Sequence, residues 1–540
     1  MFKFIFILFV LIQNLSSEET KISREWLQEK PKSHIKDFYL WRYMDQNQND
    51  DDIIWALSEA NNANHKIFIK YNKKSKDEAS NFVVNCSKLP TNELLKTDAD
   101  CINIGLSILE ATNIKGEQLS KVIEKIKKSY LQKNEKLSII NAKEPFEALL
   151  ESSSNEVFFG TFNEVGESFR IQYFNAFIPQ KMISKLQEDT QKFQKMIKTI
   201  VTTPQITTIQ QSLFDVDTKK IDFTHTFFLA MNAIKHERKE IALKYLGMAE
   251  KKATKKSDQD NVTFWQYKLT NEKKYLEQLA QSWDINIYSA LAKEELEVPL
   301  KNALFDINVT ETNATFNLQD PFLWRTMIDD MRVLDDTKLE KYRFLFNSKD
   351  TVGYRALLEE KYNNYKISYF LNPYEEYIKD YSLHRQALIN ALARQESRFM
   401  PASLSSSFAM GVMQIMPFLS EAIAKELQEP YDILMQFDAK TNIRYANHHL
   451  NYLEQRLSNV LFVAYAYNGG IGFTTRMLKS GLFKKGPYEP FLSMELVAYD
   501  ESKHYGKKVL LNYLIYFNKT SEEKIALSTL LETIKSPYLN

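Results

Sequence analysis

Helix-breaking residues are scarce in this chain, and this scarcity constrains its fold more than any other feature of the sequence. Only 13 glycines and 14 prolines occur among 540 residues. Because both residue types interrupt helices, their scarcity favours long helices over a β-rich fold. A chain of this length exceeds what one hydrophobic core usually holds, so two or three domains are expected. The sequence therefore predicts an all-α protein.

The charged residues of the chain nearly cancel, with 70 basic and 69 acidic side chains. Nucleic-acid-binding proteins usually carry a basic excess, so no nucleic-acid partner is expected. Hydrophobic residues make up 44% and charged residues 26% of the chain, which is ordinary for a folded soluble protein.

The first 17 residues have the pattern of a secretory signal peptide. Lys3 precedes nine consecutive apolar residues, 4–12, and a short polar stretch ends in Ser16-Ser17. Nine residues are too few to cross a bilayer, which needs about 20. The alternative is a buried N-terminal helix. No cysteine lies near the expected cleavage point, so we expect an exported protein without a membrane anchor.

The chain has two cysteines, Cys86 and Cys101, and eight histidines. The two cysteines are too far apart for a CxxC redox motif or a zinc ribbon. A disulfide between them and two buried free thiols both remain open. The histidines form no HExxH pattern, so neither a metal site nor a cofactor is predicted.

The forepart of the chain, residues 18–300, is patterned as successive amphipathic helices. Residues 227–234, 242–249 and 262–267 each carry an apolar helical face. A single helical hairpin cannot bury such a face alone, so the hairpins are expected to stack into a superhelical array.

A less regular segment, residues 301–371, follows the array and is predicted to be a linker domain. Asp320-Pro321 marks a turn or a helix start within it. Asn372-Pro373 is the last clear break before a final domain, residues 372–540.

One glutamate of the final domain interrupts an apolar stripe. Residues 386–399 are predicted to form a helix in which Ile389, Leu392, Ala393 and Glu396 follow the i, i+3, i+4, i+7 spacing of a buried face. Charged side chains are rarely buried without a partner or a function. Two interpretations follow for Glu396: it pairs with Arg394 or Arg398 at the edge of the core, or burial raises its pKa and makes it a general acid.

Four motifs in order carry a resemblance to a known family. They are Glu396-Ser397 with Ser405 nine residues after Glu396, the segment G-V-M-Q-I-M-P at 411–417, Ala466-Tyr467-Asn468, and a looser match at 495–505. From about residue 372 to 517 the chain resembles the goose-lysozyme-like catalytic domain of soluble lytic transglycosylases. In that family a ring of helical hairpins and a linker domain precede the catalytic domain, which agrees with the helical array and linker predicted here from residue patterns.

The resemblance implies a periplasmic carbon-oxygen lyase that acts on peptidoglycan glycan strands. Glu396 would cleave the β-1,4 bond between N-acetylmuramic acid and N-acetylglucosamine, first as acid and then as base, and leave 1,6-anhydromuramyl ends without consuming water. Cell-wall synthesis proteins are considered as further partners, and a monomer is expected. The substrate-binding residues implied by the match are Ser405, Gln414, Met416, Tyr467, Asn468 and Glu501.

All of these substrate-binding residues except Gln414 also have a plain structural interpretation. Ser405 lies in a serine-rich stretch and could close a local turn. Met416 could fill the core, as methionines often do. Tyr467-Asn468 precedes Gly469-Gly470 and could end a helix. Glu501 could be a surface charge.

The chain departs from the family pattern at several positions. Phe408 stands where the family usually has a glycine, so the backbone of that turn is in question. His449 replaces a groove tyrosine found in many members, and the fourth motif lacks its proline-phenylalanine and threonine-arginine pairs.

Two alternative functions remain. A hydrolytic muramidase on the same fold would need a second carboxylate, for which Asp432 and Asp438 are candidates outside the motifs. A catalytically weak peptidoglycan-binding scaffold is the other alternative.

Overall fold

The computed structural model describes residues 21–46, 49–75, 77–114 and 116–539. The predicted signal peptide, residues 1–17, lies outside the described residues. Helices dominate the described ranges, whose only sheet is a parallel pair of two-residue strands. The predicted all-α class is confirmed. Each helix in these ranges is too short or too polar to cross a lipid bilayer.

The array consists of helices joined by short turns. They are α1 (Arg24–Gln28), α2 (His34–Tyr43), α3 (Asp50–Glu59), α4 (His65–Lys74), α5 (Glu78–Lys88), α6 (Thr91–Leu94), α7 (Ala99–Gly105), α8 (Ile108–Ala111), α9 (Gly116–Ile126), α10 (Leu131–Asn141), α11 (Pro145–Leu150), α12 (Asn155–Glu164), α13 (Glu167–Tyr173), α14 (Gln180–Leu186), α15 (Thr190–Val201), α16 (Thr207–Gln211), α17 (Phe223–Lys235), α18 (Lys239–Glu250), α19 (Lys256–Thr270), α20 (Lys273–Ala280) and α21 (Ile287–Glu295).

Local sequence explains where many of these helices begin. Ser33, Asn49, Ser154 and Asp222 each accept a hydrogen bond from a backbone N–H of the first turn, which satisfies a donor that the helix leaves unpaired. The three apolar segments predicted from the sequence fall in α17, α18 and α19. Each of these helices packs on the next along the chain, as expected for a stacked array.

The two cysteines form a disulfide. Cys86 of α5 and Cys101 of α7 are both buried, with Cα atoms 5.2 Å apart. Of the two possibilities that the sequence left open, the structure contains the disulfide.

The linker segment forms a small core around Met327, Leu339, Tyr342, Phe346 and Tyr354, to which Met400 of the final domain also belongs. Asp320 caps its first helix and Pro321 begins it, where a fixed φ is tolerated. Its elements are β1 (Ala303–Leu304), α22 (Pro321–Arg332), α23 (Asp336–Leu345), a 3-10 turn (Lys349–Thr351), α24 (Val352–Tyr362) and β2 (Ser368–Tyr369).

The final domain is built around two long helices, α26 and α32, that pack against each other. Its helices are α25 (Glu375–Ile378), α26 (Leu383–Glu396), α27 (Pro417–Leu427), a 3-10 turn (Ile433–Phe437), α28 (Ala439–Glu454), α29 (Val460–Gly469), α30 (Ile471–Lys479), α31 (Phe491–Leu496), α32 (Asp500–Thr520) and α33 (Leu527–Glu532).

Helices from the beginning, the middle and the end of the array all contact the final domain. Phe38 of α2 packs on Phe408, Lys198 of α15 pairs with Asp500, and Tyr288 of α21 donates a hydrogen bond to Glu495. Because these contacts are spread along its length, the array closes on the final domain.

Candidate active site

Glu396 is the last residue of α26. Ser397 caps the helix, and Arg398 and Phe399 adopt φ values of 56° and 68°, which no helix continues. The sequence prediction that the helix runs to residue 399 is therefore wrong at its end. The Ser397 hydroxyl donates a 2.7 Å hydrogen bond to the Val412 carbonyl, which joins the end of α26 to the 411–417 motif.

The two arginines beside Glu396 have another partner. Arg394 and Arg398 both pair with Glu360 of α24, at 3.1 and 2.9 Å. Arg394 and Glu360 are buried. The interpretation in which Glu396 pairs with one of these arginines is therefore wrong.

The surroundings of Glu396 favour its protonated form. Burial raises the pKa of its carboxyl group to about 8, and the charge of Glu501 adds to the rise, whereas a hydrogen bond from Tyr505 opposes it. Glu396 thus carries a proton at neutral pH, as a general acid must before it reacts.

Tyr505 is a site residue that the sequence did not identify. It lies on α32, is buried, and its hydroxyl donates a 2.7 Å hydrogen bond to Oε1 of Glu396. The signal was present, because Tyr505 occupies the closing tyrosine of the fourth motif. The motif alone does not indicate that the side chain of Tyr505 contacts Glu396.

Ser405 and Gln414 hold together the loop that connects α26 to α27. The Ser405 hydroxyl accepts a 2.9 Å hydrogen bond from the Ala409 amide. Ser405 therefore does close a local turn, as one of its two interpretations expected. Gln414 has φ 50°, and its Nε2 donates to the carbonyls of Ser403 and Gly411 at 3.1 and 2.9 Å. Met416 is partly exposed just before α27.

Phe408 adopts the backbone conformation that a glycine would. Its φ is 67°, in the left-handed region that side chains rarely occupy. Its ring is fully buried against Phe38 and Trp41 of α2, at centroid distances of 5.5 and 5.6 Å. His34, also on α2, contacts the Leu404 carbonyl at 2.9 Å. The first helices of the array thus pack directly on the loop that carries Ser405.

Tyr467 and Glu501 both lie close enough to Glu396 to interact with its charge, and Asn468 bonds Glu501. The Tyr467 hydroxyl donates to the Met413 carbonyl at 2.8 Å, and burial together with the charge of Glu396 raises the pKa of Tyr467. Asn468 Nδ2 donates to Oε1 of the exposed Glu501 at 2.9 Å. Both Tyr467 and Asn468 belong to the last turn of α29, so they do stand at the end of a helix, as the structural interpretation expected.

Other singled-out residues have structural roles. Asp432 and Asp438 accept hydrogen bonds from the backbone at the starts of the 3-10 turn and α28. The His449 ring lies 5.9 Å from those of Tyr467 and Tyr452. Within the described ranges, no cluster of three or more histidine, cysteine, aspartate or glutamate side chains could hold a metal ion.

Glu396, Tyr505, Tyr467 and the 411–417 motif thus come together at one end of α26, and this region is where known families match. Residues 374–486 match the family described as Transglycosylase SLT domain. Residues 374–486 are a transglycosylase SLT domain.

Two relatives are similar to part of this chain. The soluble lytic murein transglycosylase of Escherichia coli K12 is 27% identical over 215 residues, which are 39% of this chain and 33% of the relative. A putative soluble lytic murein transglycosylase of Haemophilus influenzae is 27% identical over 204 residues, 36% of this chain and 33% of the relative. The match spans about a third of the length of these relatives.

Solved structures that align with most of the chain include two that are named lytic transglycosylases. The 70-kDa soluble lytic transglycosylase of Escherichia coli aligns with a TM-score of 0.45 at 16% identity, over 95% of this chain and 90% of that one. An inactive variant of the lytic transglycosylase Slt of Pseudomonas aeruginosa aligns with a TM-score of 0.46 at 14% identity, over 94% and 90%.

Proposed function

We propose that this protein is a peptidoglycan lytic transglycosylase, a carbon-oxygen lyase that cleaves the β-1,4 bond between N-acetylmuramic acid and N-acetylglucosamine. The observation that carries the proposal is Glu396 itself. It ends α26 beside the 411–417 motif of an SLT domain, and burial raises its pKa to about 8.

The proposed reaction uses one carboxyl group twice. Protonated Glu396 gives its proton to the glycosidic oxygen, and the bond from that oxygen to C1 of the muramyl sugar breaks. The resulting carboxylate takes the proton from the C6 hydroxyl of the same sugar, whose oxygen then bonds to C1. Glu396 is protonated again at the end, the product carries a 1,6-anhydro ring, and no water is consumed.

The remaining site residues are proposed to bind the glycan. Ser405 is assigned to the N-acetyl group, because its hydroxyl proton is still available after the oxygen accepts from Ala409. Gln414 keeps its carboxamide oxygen for substrate, since only Nε2 bonds the loop. Tyr467 stabilises charge near C1. The partly exposed Met416 and Asn468, together with the exposed Glu501, are proposed to line the groove in which the glycan strand would bind beside Glu396.

Hydrolysis is the second candidate, and one observation favours it. Glu501 is a carboxylate whose charge affects Glu396, so a partner for activating water is present nearby. Asp432 and Asp438 are less suitable, because both cap helical turns. Internal attack remains the preferred reaction, because Glu501 is exposed and held by Asn468.

The proposal includes a cellular setting. Residues 1–17 would direct export to the periplasm, where the protein would act as a monomer on glycan strands. Cell-wall synthesis proteins are proposed as further partners, and neither a cofactor nor a nucleic acid is required.

Digestion of purified sacculi tests the proposal. The products of the full chain should be one water lighter than hydrolysed muropeptides, as mass spectrometry can measure. A set of hydrolysed ends would instead identify a muramidase. Glu396→Gln should release no muropeptides, and release at the wild-type rate would contradict the assignment of Glu396 and leave the scaffold alternative.

A further inference from the structure

A cavity lies between the linker segment and the final domain. Its volume is about 840 Å3, and Ala387 and Asn390 of α26 are among the residues that line it, whereas Glu396 is not. Asn390 lies six positions before Glu396 on α26, so the two side chains point about 120° apart around the helix axis. The cavity is therefore separate from the site around Glu396.

Two carboxamides without hydrogen-bond partners face this cavity. Asn390 is only 5% exposed, and within the described ranges its side chain makes no hydrogen bond. Oδ1 of Asn372 is buried and has no partner in the same ranges. A buried polar group without a hydrogen bond costs about 1–3 kcal/mol, so a ligand that pairs with Oδ1 of Asn372 would relieve that cost, and one that reaches Asn390 would add a further hydrogen bond. A carboxamide both donates and accepts, as a peptide group does.

The rim of the cavity carries charges of both signs. Asp306, Glu375 and Glu376 are exposed there, as are Lys349 and Lys379, and none of these five forms an ion pair within the described ranges. A ligand with charges of one sign would be repelled by one of the two sets. A ligand that carries both an amine and carboxylates could satisfy both sets.

The floor of the cavity is apolar. Phe370, Leu371 and Tyr516 are buried there, and the Tyr516 hydroxyl donates to the Leu371 carbonyl at 2.9 Å. The volume lies in the usual range of ligand sites, roughly 300–1,000 Å3. An apolar floor with a few polar groups above it is typical of such sites.

We propose that this cavity binds a short zwitterionic peptide, namely the stem peptide of the peptidoglycan proposed above as substrate. The identity of the peptide rests on the proposed function, whereas the preference for a peptide follows from the unpaired carboxamides and the mixed rim. A glycan without peptide offers hydroxyl and acetamido groups but no amine for the acidic side of the rim. Binding of a stem peptide here and of glycan beside Glu396 would hold one wall fragment at two sites.

The test uses the full chain with Glu396→Gln, in which cleavage is blocked. Calorimetry measures its binding to a synthetic stem tetrapeptide with a free side-chain amine and, separately, to an N-acetylglucosamine tetramer. Asn390→Leu should weaken peptide binding about tenfold or more and leave tetramer binding unchanged. Unchanged peptide binding, or an equal loss for both ligands, would overturn the proposal, as would absence of peptide binding by the parent.

A second variant protects the test against misfolding. Glu376→Lys changes only an exposed rim charge and should weaken peptide binding several-fold, whereas Glu188→Lys, an exposed charge reversal on the array, should not. Equal peptide affinities for these two variants would contradict a role of the rim charges in peptide binding. Sacculus digestion by the wild-type chain separates the two proposals: cleavage without peptide binding removes this one alone, and peptide binding without cleavage removes the proposed function.

Discussion

The Tyr505 hydroxyl donates a 2.7 Å hydrogen bond to Oε1 of Glu396, across 109 residues of chain. This bond stabilises the charged carboxylate, while burial favours the protonated acid. The balance between the two sets the pH at which Glu396 loses its proton. It also connects α32 to the end of α26, so displacements of either helix would change the acidity of Glu396.

Replacement of Tyr505 by phenylalanine should raise the pKa of Glu396, because the hydrogen bond that favours the charged form is lost. The alkaline fall of kcat/KM on soluble glycan strands should then move to higher pH by about 1 unit. Tyr467→Phe is the matched control, since the Tyr467 hydroxyl donates to the Met413 carbonyl. An alkaline limb that stays in place in Tyr505→Phe would argue against this role.

Glu396→Gln should stabilise the protein at alkaline pH. The pKa of Glu396 is raised from 4.5 to about 8, so the folded state holds a proton that the unfolded state has already lost between these values. The contribution is fully present below pH 4.5 and is lost as pH rises towards 8. Urea unfolding should give the variant an advantage on the order of 5 kcal/mol at pH 9 and none at pH 4. A constant difference across this range would contradict the raised pKa.

Phe408→Gly should destabilise the protein although glycine suits the φ of 67°. Loss of a buried phenylalanine ring costs about 3–5 kcal/mol, whereas relief of a left-handed backbone gains about 1 kcal/mol. Glu237→Gly is the control, because Glu237 is exposed with φ 58° and should be neutral or slightly stabilising. Thermal unfolding distinguishes them, and a more stable Phe408→Gly variant would show that the contacts with α2 contribute little.

Glu495→Gln should destabilise the junction between the array and the final domain. Burial raises the pKa of Glu495, but Lys507 and Lys503 overcome it, so the buried carboxylate stays charged. Lys507 donates to it at 2.9 Å, and Tyr288 of the array donates as well. Removal of the charge leaves Lys507 buried without its partner, at a cost of about 3–5 kcal/mol.

The double variant Glu495→Leu with Lys507→Met provides the comparison for this prediction. It removes both charges, so denaturant unfolding should show a smaller loss than Glu495→Gln alone. A larger loss in the double variant would mean that the pair itself stabilises the junction.

Much of the final domain could be predicted because its signals are local. The stripe of Ile389, Leu392 and Ala393 predicts that Glu396 is buried, and the motif spacing locates Ser405, Gln414 and Tyr467. The end of α26 could not be predicted, since Arg398 and Phe399 leave the helix by adopting positive φ values that neither residue type favours. The partner of Arg394 and Arg398 was also missed, because Glu360 belongs to a separate segment.

The sequence by itself determined the helical class, the array before the final domain and the position of one carboxyl group on an apolar helical face. These features follow from the scarcity of glycine and proline, the periodicity of apolar residues and the spacing of motifs, all of which depend on residues close together in the sequence. Only the tertiary structure decided that Tyr505 bonds Glu396, that α2 packs on Phe408, and that Asn372 and Asn390 face one cavity. Each of these depends on which faces of distant helices meet, and that is set by packing of the whole chain.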